Sequence, residues 1–151
     1  MEKEHKAMQV IHVVLRPAFA ICLFLSQFTS HRTSFFTDNP YLLSLGAIFA
    51  VAGVWLLIAA SIHLRRANSP DEIITSGPFR YIRHPIYVSI YILSIGLGLI
   101  FFTWIWFLVL IVFIPLWWLE CMSEEKEMKE RYGEEYVAYQ ERTDMFIPGV
   151  W

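Results

Sequence analysis

Residues 87–119 contain no charged side chain. A stretch of that length is too long to cross a bilayer once and rather short for two crossings at ~20 residues each. Gly96 and Gly98 sit in its first half and Pro115 near its end, so the expectation is a tight helical hairpin turning near Phe102-Thr103-Trp104. Residues 41–64 form the cleanest single span, long enough at ~1.5 Å per residue to cross a ~30 Å hydrocarbon core. Residues 10–28 form a weaker one, because Arg16 and Pro17 interrupt it. An intramembrane Arg costs at least ~2.5–3.5 kcal/mol unless it snorkels or pairs. The expected fold is all-α: a single polytopic membrane domain over 1–151, with four spans at 10–28, 41–64, 87–102 and 104–119. Composition agrees. The chain is 56% hydrophobic and 17% charged, whereas soluble domains are about a quarter charged. This excludes intrinsic disorder and argues against an ordinary soluble globule.

Charge placement sets the expected orientation. Among the 12 Lys and Arg, Arg16 lies within the first span and Arg32 in the loop after it. All the others fall on one side of a four-span arrangement, which the positive-inside rule makes cytoplasmic. The N-terminus carries charges of both signs and no small-residue cleavage site, so no cleaved leader is expected. A net charge of −2 gives nucleic-acid binding no electrostatic support. Cys22 and Cys121 form no disulfide framework or zinc spacing, and the five His show no ligand spacing, so no metal is expected. His63 reads as a cap on an apolar face. No Gly-x-Ser-x-Gly elbow or Gly-x-Gly-x-x-Gly loop occurs.

Polar chemistry concentrates in two places, 71–87 and 120–148. Gly77-Pro78 marks a turn, and Pro85 suits the first turn of a helix, which puts Arg83 and His84 at the mouth of the third span. Glu120, Glu124 and Glu125 follow the fourth span and emerge on the same face. Taken singly, these are ordinary interface anchors and a solvated helix start. From 123 to 142 the chain is rich in Glu, while Met128, Tyr132, Tyr136 and Tyr139 recur at helical spacing. That pattern predicts an amphipathic helix, with Gly133 as a break.

Thr75-Ser76-Gly77-Pro78-Phe79, then Arg83-His84-Pro85-Ile86-Tyr87, precede the hydrophobic hairpin. Glu124-Glu125, Tyr132-Gly133-Glu134-Glu135-Tyr136, Tyr139 and Phe146-Ile147-Pro148 follow it. This ordered set, covering about half the chain, resembles the isoprenylcysteine carboxyl methyltransferase family, whose wider group includes phospholipid methyltransferases. The resemblance implies an integral membrane enzyme using S-adenosylmethionine on a lipophilic or lipid-modified acceptor drawn from membrane lipid. Carried over by position, it implies cofactor contacts from Glu72, Ile73, Ile74, Phe79, His84, Pro85, Ile86, Tyr87 and Glu124. His84 or Glu125 would act as base where the acceptor must lose a proton.

The sequence departs from the family pattern at Ser89, where Gly is common, and at Asp144-Met145, where many members have Pro-Arg. It also departs at Glu120, where the eukaryotic prenylcysteine enzymes carry a substrate-contacting Arg. A carboxylate at 120 would face the acceptor and favour a neutral or cationic one: a lipophilic amine, a thiol or a phenol. Two rival functions are a nicotinamide-dependent membrane reductase, since sterol reductases share a similar C-terminal pattern, and a non-catalytic membrane assembly protein.

Overall fold

The computed structural model describes residues 13–26, 39–65, 72–101 and 104–150. They form five α-helices: α1 (Val13–Ser26), α2 (Pro40–Arg65), α3 (Pro85–Phe101), α4 (Trp104–Tyr132) and α5 (Glu134–Gln140), with a 3-10 turn at Gly77–Arg80 before α3. Among the described residues there is no extended strand; a parallel bridge joins Ile82 to Asp144, and an antiparallel one joins Ile147 to Val150.

Asn39 starts α2 by accepting from the backbone N–H of Tyr41 (3.0 Å) and of Leu42 (3.4 Å), which satisfies two donors that have no intrahelical partner. α2 then lies against α3 at backbone distance. A Cβ at Gly53 would fall 2.5 Å from the Leu93 nitrogen, and one at Gly96 2.5 Å from the Ala50 nitrogen. Between apolar helices, where lipid competes equally for aliphatic side chains, such close backbone approach supplies the packing energy.

α3 and α4 are fastened at the end near the Phe101–Trp104 connection. Trp106 Nε1 donates to the Ser94 carbonyl (2.7 Å), and Tyr91 Oη donates to the Leu110 carbonyl (3.3 Å). Along α4 the residues Trp106, Leu110, Phe113, Trp117 and Cys121 are buried at spacings of three or four, a single stripe facing the core. Ile111, Val112, Ile114, Trp118 and Leu119, on the other faces, are exposed. Phe19 of α1 meets that stripe, with its ring 4.9 Å from Phe113 and edge-on to Trp117 at 5.3 Å.

Two helices, α2 and α4, are long and apolar enough to cross a membrane. The shorter apolar helices α1 and α3 do not reach that length. The expected first span at 10–28 is described only between Val13 and Ser26, and the expected turn at Phe102-Thr103 lies outside the described residues. α4 differs from expectation in kind. The fourth span and the first part of the amphipathic helix are one continuous rod of 29 residues. Pro115 sits inside it without ending it, and the helix stops at Tyr132, before Gly133, whose φ of 57° lies in the left-handed region.

Candidate active site

The end of the helices remote from the Trp106–Ser94 bond carries the polar residues. His63, near the end of α2, accommodates the 3-10 turn. Gly77 has φ 61°, and a Cβ there would come 2.5 Å from the His63 ring. This contact fixes the turn that carries Phe79. Tyr139 Oη donates to the Phe79 carbonyl (2.6 Å) from the other side. The C-terminal segment then straps the start of α3, as Arg83 N–H donates to the Asp144 carbonyl (2.8 Å) and His84 N–H to that of Met145 (3.2 Å). Asp144-Met145, which departs from the family pattern, thus contributes backbone carbonyls at these two bonds.

Arg83 knits the assembly together from within. Its Nε donates to Glu125 Oε1 (2.6 Å), and its Nη1 donates to the carbonyls of Gln140 (3.3 Å) and Thr143. Glu125 is buried and also accepts from the Gln140 amide. Burial alone would raise the Glu125 carboxyl. The hydrogen bonds from His84 and Arg83 and their charges outweigh burial and hold it below the ordinary carboxylate range. Tyr139, buried beside them, is pushed up to about 12, chiefly by desolvation.

Between these parts and α1 lies a cavity of about 1030 Å³, at the upper end for small-molecule sites. Glu72, Ile73, Ile74, Phe79, His84, Pro85, Ile86, Tyr87 and Glu124, the full cofactor set implied by resemblance, all line it. Its polar end holds Glu124, whose Oε1 accepts from Tyr87 Oη (2.5 Å) and whose Oε2 stands 3.6 Å from His84 Nδ1. Its other end is apolar, walled by Phe19, Leu23, Ile90 and Trp117.

Two expected site residues lie elsewhere. Glu125 is absent from the wall and stands behind two residues that line it: His84, whose Nε2 lies 3.2 Å from Glu125 Oε1, and Arg83. Glu120, expected to face the acceptor, is also absent from the wall. Its side chain is fully buried and its Oε1 accepts from Arg16 Nε (3.1 Å) and Tyr87 Oη (3.4 Å). An unpaired carboxylate at that depth would be prohibitively costly, and Arg16 neutralises it. In the sequence Arg16 stands only as an interruption of the first span. It lines the cavity, and Nη2 reaches Tyr87 Oη (2.9 Å) and Glu124 Oε1 (2.8 Å). An ionisable residue inside an apolar helix is the signal that could have marked it. Met128, Tyr132, Tyr136 and Tyr139, expected to be the apolar stripe of a helix, also line the cavity.

The site therefore combines a carboxylate, an imidazole and flat apolar walls with the first turn of α3, where Pro85 has no N–H, Val88 N–H donates to the His84 carbonyl (3.2 Å), and the Ile86 and Tyr87 N–H groups have no intrahelical partner. These fit S-adenosylmethionine. Glu124 suits its ammonium or ribose hydroxyls, the α3 N-terminus suits its carboxylate, and Phe79 suits its adenine.

The chain is 26% identical over 144 residues to a protein-S-isoprenylcysteine O-methyltransferase of Schizosaccharomyces pombe, with 93% of this chain aligned. It spans 58% of that relative's length. No solved structure matches the chain significantly. A family profile described as phospholipid methyltransferase matches residues 15–135, and so takes in α1 to the start of α5 and nearly every residue of the cavity wall. On that match, the chain belongs to the phospholipid methyltransferase family.

Proposed function

We propose that this protein is a membrane methyltransferase that binds S-adenosylmethionine at the polar end of the cavity and a lipophilic acceptor at the apolar end. The observation that carries the reading is the continuity of the two ends. Glu124, His84 and the α3 N-terminus open directly onto a groove between α1, α3 and α4 lined by Phe19, Leu23 and Ile90. Bound at the polar end, the cofactor would supply an already activated methyl group. What remains for the chain is alignment, which can contribute about 7–11 kcal/mol when reacting groups are held in line. Tyr87 and Arg16 fix the Glu124 carboxylate, and the Arg83–Glu125 pair fixes the His84 ring. In its neutral form, His84 is the imidazole on the wall that can take a proton from an amine or thiol acceptor. Glu125 stands behind it as a positioning residue. A carboxylate acceptor needs no base.

In this reading α1 to α4 are the four spans, and the cavity mouth faces the cytoplasm. The decisive experiment is equilibrium binding of labelled S-adenosylmethionine and of NADPH to detergent-purified protein. Saturable binding of the first alone is expected; saturable binding of the second alone would make the protein a reductase.

A further inference from the structure

Arg16 has no task in the reading above beyond steadying Glu124, yet its position at the junction of the two cavity ends is specific. It is presented by α1, and Phe19, Ala20 and Leu23 follow on the same face of that helix, all lining the cavity. An alkyl or prenyl chain lying in the groove against Phe19 and Leu23 ends at the guanidinium. Nε is taken by Glu120, and Nη2 by Tyr87 and Glu124; Nη1 has no partner among the described residues. The Arg16 side chain is 54% exposed, whereas that of Glu120 is 0% exposed. The Glu120 counter-charge thus lies behind the guanidinium; the second, Glu124, is 25% exposed and stands on the cavity wall, where the proposed reading commits it to the cofactor, and Nη1 is left to the cavity. A guanidinium has donors only. A ligand oxygen with lone pairs fits against it, and an ammonium does not.

We infer that Arg16 recognises the acceptor's headgroup, and that this headgroup carries an oxyanion. The source is either the carboxylate of a lipid-modified amino acid or the phosphate of a phospholipid. The inference deepens the methyltransferase reading and rests on it for the identity of the ligand as an acceptor. It reverses what Glu120 suggests in isolation, because the Glu120 carboxylate is spent on Arg16.

The test measures dissociation constants of matched twelve-carbon probes, by tryptophan fluorescence, on protein in nanodiscs saturated with S-adenosylhomocysteine. The anionic probes are N-dodecanoylglycine and dodecyl phosphate. The controls are N-dodecanoylglycine methyl ester, dodecanol and dodecylamine. The unmodified protein should bind the anions at least about tenfold more tightly than the controls, a difference of ~1.4 kcal/mol. Arg16→Gln should erase that ratio, and Arg16→Lys should keep part of it. A ratio between ligands on one sample does not depend on the folded fraction. Should Arg16→Gln fail to fold, Glu120→Gln, which keeps the guanidinium and removes its counter-charge, should sharpen the anion preference. Of the two anions, the one that loses more affinity in Arg16→Gln identifies the source. Full anion preference in Arg16→Gln, a weaker one in Glu120→Gln, or preference for dodecylamine by the unmodified protein would overturn the inference. Failure to bind S-adenosylhomocysteine with the anion ratio intact would overturn the methyltransferase reading instead, and leave Arg16 its role.

Discussion

Glu124 reaches the cavity from α4 and His84 from the residue before α3, and each is held by neighbours. Replacing either by Ala removes a charged or hydrogen-bonding group from the polar end and should weaken S-adenosylmethionine binding by about tenfold or more, roughly 1.4 kcal/mol. Glu134→Ala, at an exposed site on α5, should leave it unchanged; titration calorimetry on the three variants decides. Glu125 makes a different prediction. Its carboxyl is lower in the folded protein than in the unfolded chain. Its stabilisation is therefore complete above the unfolded value of ~4.3 and is lost as pH falls through the lower folded value. Thermal unfolding followed below pH 5 should show this slope, and Glu125→Gln should flatten it. At neutral pH the same variant should cost on the order of 3 kcal/mol, because it strips a largely buried Arg83, its side chain 11% exposed, of its counter-ion. An unaltered acid slope in Glu125→Gln would contradict the assignment. Arg83, His84 and Glu124 were legible from the sequence because they stand in an ordered set of motifs. The roles of Glu120 and Arg16 were not, because a carboxylate on α4 and a cation on α1, far apart in the chain, carry no mark that they pair.

At the scale of elements, the two halves of the molecule are built on different principles. α2 and α3 meet through glycine, backbone to backbone, whereas α3 and α4 are spaced by aromatic side chains and part toward the cavity. Gly53→Ala therefore places a methyl where the Leu93 backbone already stands and forces the helices apart. Overpacking of this kind costs typically 1–3 kcal/mol. The same change at Gly133, where nothing lies within 4 Å, costs only through its positive φ and should open no helix contact. Thermal unfolding with S-adenosylmethionine binding as a second readout checks this. Gly53→Ala should lower Tm, and equal stability to the unmodified protein would refute the packing account. The helices themselves followed from uncharged runs and from Gly133, but the length of α4 did not. A span and an amphipathic helix have different hydrophobic patterns, and the sequence shows the change of pattern at 119–123 while the backbone continues through it. Pro115 lies near the end of the uncharged run; inside a helix it removes one intrahelical bond, and α4 continues past it.

At the scale of the whole molecule, charge and apolar surface separate along the helix axes. His63 near the end of α2, Gly77 and the start of α3 meet at one end. Arg65, Arg80, Arg83 and the basic residues after Glu125 in α4 belong to that end. The opposite end, where Trp106 meets Ser94, has no charged residue among its described contacts. Between the ends, α2 and α4 expose Ile48, Val51, Trp55, Ile111 and Trp118 to the surroundings, a belt that only lipid covers without cost. In the topology proposed above the basic end is the cytoplasmic one, which would let a soluble cofactor enter the cavity. Single cysteines test this. In a Cys22→Ala background, with Cys121 fully buried and unreactive, Thr37→Cys precedes α2 and Thr75→Cys lies beside the cavity mouth. In intact cells a membrane-impermeant maleimide should label Thr37→Cys directly and Thr75→Cys only after permeabilisation. Labelling of both without permeabilisation would mean that α2 does not cross, and the reverse pattern would place the cavity, with its cofactor end, on the wrong side of the membrane.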